Sequence, residues 1–182
     1  ILMSRQKQKG NAFERVISDH LTSTFNLKFF RTPGSGAYVG GRNFHRTNEL
    51  SNSQQLLLEG DIVVPEELDF LKFECKTLKT FSFSSLMENN AIFESWVEQA
   101  TSEDKLWFLI FKINNRGTFI VYESDLYDGF LHPKKHYVNY YHRGLHRGVV
   151  IEKMDGWFEA NKDTLLDYAK LEKPPYKRYT GE

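Results

Sequence analysis

A single cysteine, Cys75, stands among 182 residues. That excludes an intramolecular disulfide and any zinc site built from several cysteines. No apolar run approaches the roughly 18 residues that a membrane-spanning helix needs. The opening 1-ILMSRQKQKG-10 is too short and too polar to read as a secretory signal. These absences lead to the expectation of an intracellular protein that does not engage a membrane. Net charge is missing too, because 24 Lys and Arg offset 24 Asp and Glu. That balance speaks against a general polyanion binder, which normally carries a basic excess. Internal repeats, a domain linker, a Gly-rich nucleotide loop and a nucleophile elbow are likewise not found.

What is present suffices for a full core, since 40% of residues are hydrophobic and 15% aromatic. One domain over residues 1–182 is expected. Phe13, Val16, Ile17, Leu21 and Phe25 give 7–25 the spacing of an amphipathic helix, with Glu14 and Ser18 off the stripe. A short strand over 28–32 follows, and Pro33, Gly34 and Gly36 then force a loop. Residues 37–55 hold no period and read as a long loop of the kind that is often functional. Strands are predicted at 57–64 and 69–76, a helix over 84–102, and strands at 106–113, 118–122 and 148–153. A helix over 155–171 precedes the polar tail 172–182. The run 106-LWFLIFKI-113 suits a central strand covered on both faces, with Lys112 snorkelling near its end. This order of elements predicts an α/β or α+β fold with a mixed sheet flanked by helices.

Two local patterns carry chemistry. The first is 60-GDIVVPEELDFLKFECK-76. With an even-length turn at 65–68, Val64 pairs with Asp69 and Asp61 with Lys72. Asp61, Lys72, Glu74 and Lys76 then share one face, opposite the apolar Ile62, Val64, Leu71, Phe73 and Cys75. Two carboxylates crowded away from water take up a proton or are joined by a cation. Hard Mg2+ accepts a site of one or two carboxylates completed by water and phosphate oxygens. An ammonium at Lys76 suits orientation of water or stabilisation of charge, so the set is equipped for phosphodiester hydrolysis. The plain alternative is alternating charge on a solvated strand.

The second pattern is 132-HPKKHYVNYYHRGLHR-147, a basic, aromatic strip with Lys134, Lys135, Arg143, Arg147 and four of the six histidines. The histidines at 132, 136, 142 and 146 include i, i+4 pairs, but no glutamate accompanies them in an H-E-x-x-H arrangement. Beside a nuclease signature, the strip reads as a surface for backbone phosphates and bases.

Asp61 with 74-ECK-76 resembles the acidic and E-x-K positions of the PD-(D/E)XK nuclease superfamily, with Gly60 where the motif name has proline. Two upstream stretches extend the resemblance to archaeal-type Holliday-junction resolvases: 9-KGNAFERVISDHL-21 and 31-RTPGSGA-37. It covers about 7–122, leaving 123–182 as a C-terminal extension, and implies a restriction-endonuclease-like core. By the same resemblance Glu14 faces the metal site, Ser35 is catalytic, and Gln99 lies near the site. Asp61, Glu74, Glu14 and the Cys75 backbone carbonyl become the metal ligands, for Mg2+ with Mn2+ as a substitute. Lys76 becomes the group that assists water. Nucleic-acid contacts are expected at Lys9, Arg31, Gly34, Ser35, Gln99, Lys134, Lys135, Arg143 and Arg147. The implied activity is a DNA endonuclease acting on four-way junctions as a homodimer. Two competing readings are a restriction or repair enzyme of the same superfamily and a non-catalytic binding module on a nuclease-like core.

Overall fold

The structure, a computed structural model, describes residues 5–33, 60–88, 90–133 and 136–171. Helix α1 (Arg5–Phe25) buries Phe13, Ile17, Leu21 and Phe25 at four-residue spacing. Its buried face is wider than the apolar stripe alone indicates. Glu14 and Ser18 are buried as well, whereas Val16 is 60% exposed. The helix ends at Asn26, whose positive φ of 54° is the left-handed turn that asparagine tolerates at a helix C-terminus.

Strand β1 (Phe30–Arg31) pairs antiparallel with β2 (Ile62–Val63), Arg31 opposite Ile62. A 3-10 turn at Glu66–Leu68 leads to β3 (Leu71–Leu78). The remaining strands are β4 (Leu106–Ile113), β5 (Gly117–Glu123), β6 (Tyr137–His142) and β7 (Arg147–Lys153). They form a five-stranded sheet in the order β3-β4-β5-β7-β6. The β3–β4 pair is parallel, with Glu74 opposite Leu109, and the other pairs are antiparallel. As the apolar run predicts, β4 is buried along its length except at Lys112.

Each face of the sheet has its own core. On one side α1 and α3 (Trp157–Tyr168) cover Phe73, Phe108, Ile110, Ile120 and Tyr122. On the other, α2 (Ala91–Ala100) sets Phe93, Val97 and Ala100 against Trp107, Leu109, Phe111 and Val121. Burying each large apolar side chain contributes about 1.5–3 kcal/mol, which makes these two layers the main source of stability. This is an α+β fold with a mixed sheet between helices, consistent with a restriction-endonuclease-like core. Among the described residues no helix is long and apolar enough to cross a membrane.

Several predicted elements are corrected. The helix expected over 84–102 is a 3-10 turn at Phe83–Glu88 followed by α2, which starts late because Asn90 accepts a hydrogen bond from the Phe93 N–H at 3.0 Å and caps it there. The strip 132–147, where no strand is predicted, contains the edge strand β6. Residues beyond 122 are built into the sheet, since β7 lies between β5 and β6. Trp157 packs edge-on against Phe108 at 5.3 Å between ring centroids. The buried Glu152 carboxylate fastens the same region, accepting from Tyr122 Oη at 2.6 Å and Trp157 Nε1 at 2.7 Å.

Candidate active site

The site assembles at the free edge of β3. Because β4 occupies one side of that strand, residues alternate between backbone groups bound to β4 and backbone groups turned outward. The Leu106 N–H reaches Phe70 O at 2.8 Å on the β4 side. Phe73 and Cys75 therefore present their N–H and C=O groups to the open edge. Asp61 fills that edge with both of its halves. Its N–H donates to Phe73 O at 2.8 Å, and its carboxylate Oδ2 accepts from the Cys75 N–H at 2.8 Å.

This corrects the expected register. Asp61 does not sit opposite Lys72 in a regular hairpin, and β2 forms its ladder with β1. The cause is Gly60, whose φ of +78° turns the chain sharply onto β3. A Cβ at that position would lie 2.5 Å from the Phe73 carbonyl oxygen. Proline, fixed near φ −65°, could not adopt this backbone. The departure from the motif name at residue 60 is thus a requirement of the local conformation.

Lys72, Glu74 and Lys76 do share one face of β3, the face toward α2. Lys76 Nζ donates to Glu74 Oε1 at 2.5 Å and to Gln99 Oε1 at 2.7 Å. Lys72 Nζ reaches the backbone carbonyls of Gln99 and Thr101 at 3.0 and 3.1 Å. Glu14 approaches from α1 and is 8% exposed. Arg31 Nε meets Glu14 Oε2 at 2.6 Å, while Arg31 Nη2 donates to Asn11 Oδ1 at 2.9 Å. Arg31, named above among the nucleic-acid contacts, is the ion-pair partner of the α1 glutamate.

The electrostatics identify Asp61 as the strained member. Burial pushes its carboxyl up to about 7; the negative charges of Glu74 and, more weakly, Glu14 add to the rise, while the Cys75 N–H and Lys76 oppose it. The Cys75 thiol is held well above its ordinary range, first by burial and then by Asp61 and Glu74. It remains a protonated core group and no nucleophile.

Among the described residues, no group of three or more His, Cys, Asp or Glu side chains is arranged to hold a metal ion. Glu14 and Glu74 are each bound to a cationic side chain, so an all-protein cage is not what this site offers. Asp61 and Glu74, with the Cys75 carbonyl turned to the same edge, are the oxygen donors available to a hard cation. That donor set fits an ion that takes one or two carboxylates and keeps water in its other positions. The raised proton affinity of Asp61 is the charge imbalance that such a cation would relieve.

Other expected residues fall in different places. Lys9 is exposed on α1, Gln99 lies at the end of α2 beside Lys76, and Arg143 is exposed past β6. Arg147 does not belong to a free basic surface: its guanidinium lies between Glu103, at 2.5 Å, and Glu123, at 3.0 Å, and is 8% exposed. His132 and His142 are also taken into the fold, the first against Glu152 at 2.9 Å and the second accepting from the Leu145 N–H at 3.1 Å. Gly34, Ser35, Lys134, Lys135 and the loop 37–55 lie outside the described residues. Two members of the site escaped the sequence reading, Arg31 as the partner of Glu14 and Lys72 as a ligand of the α2 carbonyls. Both contacts join residues distant in the chain, so the charges at 31 and 72 were visible but their partners were not.

No curated protein and no solved structure matches the chain. One family model does, that described as "Phage putative PDDEXK endonuclease", over residues 5–167. The match reaches well past the 7–122 of the motif resemblance and takes in β7 and most of α3, in keeping with their place in the sheet and core. The chain belongs to this family, and is therefore a nuclease of the PD-(D/E)XK superfamily with nucleic acid as its substrate class.

Proposed function

We propose that the protein is a Mg2+-dependent DNA endonuclease selective for branched substrates, with the four-way junction as its preferred one. The observation that carries the catalytic part is the seating of Asp61 on the open edge of β3, beside Glu74 and within the field of Glu14. Asp61, Glu74 and the Cys75 carbonyl hold the divalent cation, and Mn2+ substitutes for Mg2+. When bound, the ion supplies Lewis acidity toward the phosphate and lowers the pKa of water. Glu14, fixed by Arg31, extends the negative site on the α1 side. Lys76, steadied by Glu74 and Gln99, orients the water that attacks phosphorus and offsets charge as it develops on the phosphate. Ser35 and the Gly34 backbone contact the scissile strand, because a hydroxyl flanked by glycines lets backbone approach a phosphate closely. Lys9, Lys134, Lys135 and Arg143 bind phosphates along the strand.

Support for branched DNA comes from the stretches around Glu14 and Ser35, which resemble resolvases as well as the wider superfamily. The same resemblance supports a homodimer, and the lone cysteine supports an intracellular setting. The test is Mg2+-dependent cleavage of matched four-way, flap and linear duplex DNA, with Glu74→Gln as control. Preferential junction cutting that Glu74→Gln abolishes is expected. A preference for linear duplex would overturn the junction assignment in favour of a restriction or repair enzyme. Full activity in Glu74→Gln would overturn the site.

A further inference from the structure

Helix α2 ends in a way that its own sequence does not complete. The last four carbonyls of a helix lack intrahelical partners and form the negative end of its dipole. The final turn of α2 contains no basic residue, and Thr101 follows it at the C-cap. Thr101 folds back on the helix, its N–H and Oγ1 both donating to Val97 O at 2.9 and 2.7 Å. The next carbonyls are met from another element. Lys72 Nζ, on β3, donates to Gln99 O at 3.0 Å and to Thr101 O at 3.1 Å.

Gln99 consequently stands between two lysines of one strand face. Its main-chain carbonyl binds Lys72, and its side-chain Oε1 accepts from Lys76 Nζ at 2.7 Å. Its Nε2 donates to Ser95 Oγ at 3.2 Å, which orients the amide with oxygen toward Lys76. We infer that Lys72 is a positioning residue of the nuclease: it pins the C-terminal end of α2 to β3, so that Gln99 keeps the Lys76 ammonium beside Glu74. This role rests on the function proposed for Lys76. A displacement of about 1 Å in such a supporting group can cost up to about 10²-fold in rate. A lysine that merely touched DNA phosphate would act differently, weakening binding and lowering its salt dependence while leaving turnover intact.

The test compares Lys72→Met, Lys72→Arg, Gln99→Met and the Lys72→Met/Gln99→Met pair with the unaltered protein. Lys72→Met is expected to lower kcat about tenfold, inside the roughly 10²-fold that a 1 Å misplacement can cost, while KM changes less than about twofold. Lys72→Arg, which can still donate to both carbonyls, restores most of the rate. The double variant is expected to be no slower than the slower single one, as for residues acting through one contact. Independent effects that multiply, or a raised KM with kcat intact, would overturn the role. Lysine-labelled NMR gives a readout free of catalysis: the Lys76 side-chain signal shifts in Lys72→Met and in Gln99→Met, and an unmoved signal overturns the inference. If Lys72→Met fails to fold, Lys72→Gln takes its place in both measurements. Absence of cleavage by the unaltered protein, or unchanged cleavage in Glu74→Gln, would instead defeat the nuclease mechanism, and the Lys76 signal would still decide whether Lys72 acts through Gln99.

Discussion

At the scale of single residues, the central feature is a buried carboxyl group whose neighbours oppose its charge. The proton affinity of Asp61 is raised from 3.8 to about 7, by burial first and Glu74 second. A group whose folded pKa exceeds its unfolded one favours the folded state fully below the unfolded value and loses that contribution as pH rises through the folded value. In metal-free protein, the stability difference between the unaltered chain and Asp61→Asn should therefore move against the unaltered chain from about pH 4 to pH 7. The shift in pKa bounds the change at about 4 kcal/mol. Urea unfolding in chelator at several pH values measures it, and a difference flat with pH would refute the assignment. Mg2+ should recover more stability at pH 8 than at pH 5, because binding to the folded state competes with the proton. Gly60 makes a second residue-level case. Gly60→Ala places a Cβ 2.5 Å from the Phe73 oxygen at a positive φ. A loss of more than about 1 kcal/mol is expected, together with loss of cleavage, because the turn seats Asp61. Near-normal melting and activity would show that the turn can relax.

At the scale of elements, α1 and β1 are joined through the site by Glu14 and Arg31. Removing the guanidinium leaves Glu14 buried near Asp61 and Glu74 without the Arg31 counter-charge. Arg31→Leu is accordingly expected to lower stability by about 3 kcal/mol, and Glu14→Gln in the same chain should return most of it. Thermal or chemical unfolding of the two single variants and the double one forms the cycle; additive losses would show that the pair does not act as a unit. These elements also show how far the sequence could be read. The stripe Phe13, Ile17, Leu21, Phe25 and the apolar run of β4 announce their own burial, and the Glu74, Lys76 alternation announces a strand face. Contacts between distant segments announce nothing locally. Arg31 finds Glu14 seventeen residues back, and Asp61 takes its place from the φ of Gly60 and the outward edge of β3, which no period encodes. Edge strand β6 was missed because Tyr137, Val138 and Tyr141 remain partly exposed. Buried His142 meets the Glu94 backbone carbonyl and the Glu98 carboxylate of α2, contacts between segments distant in the chain.

At the scale of the whole molecule, one chain builds one cluster of Asp61, Glu74 and Lys76, whereas resolving a four-way junction needs two cuts placed symmetrically. Two sites related by a two-fold axis supply that symmetry, so the proposed junction activity requires a dimer in which each copy cuts one strand. The requirement can be separated from the chemistry by mixing. Glu74→Gln, which keeps the side-chain volume and removes a charge, is expected to retain dimerisation while losing cleavage. With the unaltered protein diluted into an excess of this variant, most active sites sit opposite an inactive one. On a junction carrying a label on each of two opposing strands, nicks in either strand should persist while paired cuts within one binding event fall steeply with the excess. Light scattering on each protein should give a mass near twice that of the 21.4 kDa chain. Paired cuts that fall only in proportion to dilution, together with a mass of one chain, would mean that each monomer cuts alone. Activity on four-way DNA would then reflect access to an opened strand at the junction centre, and the two-fold axis would drop out of the mechanism.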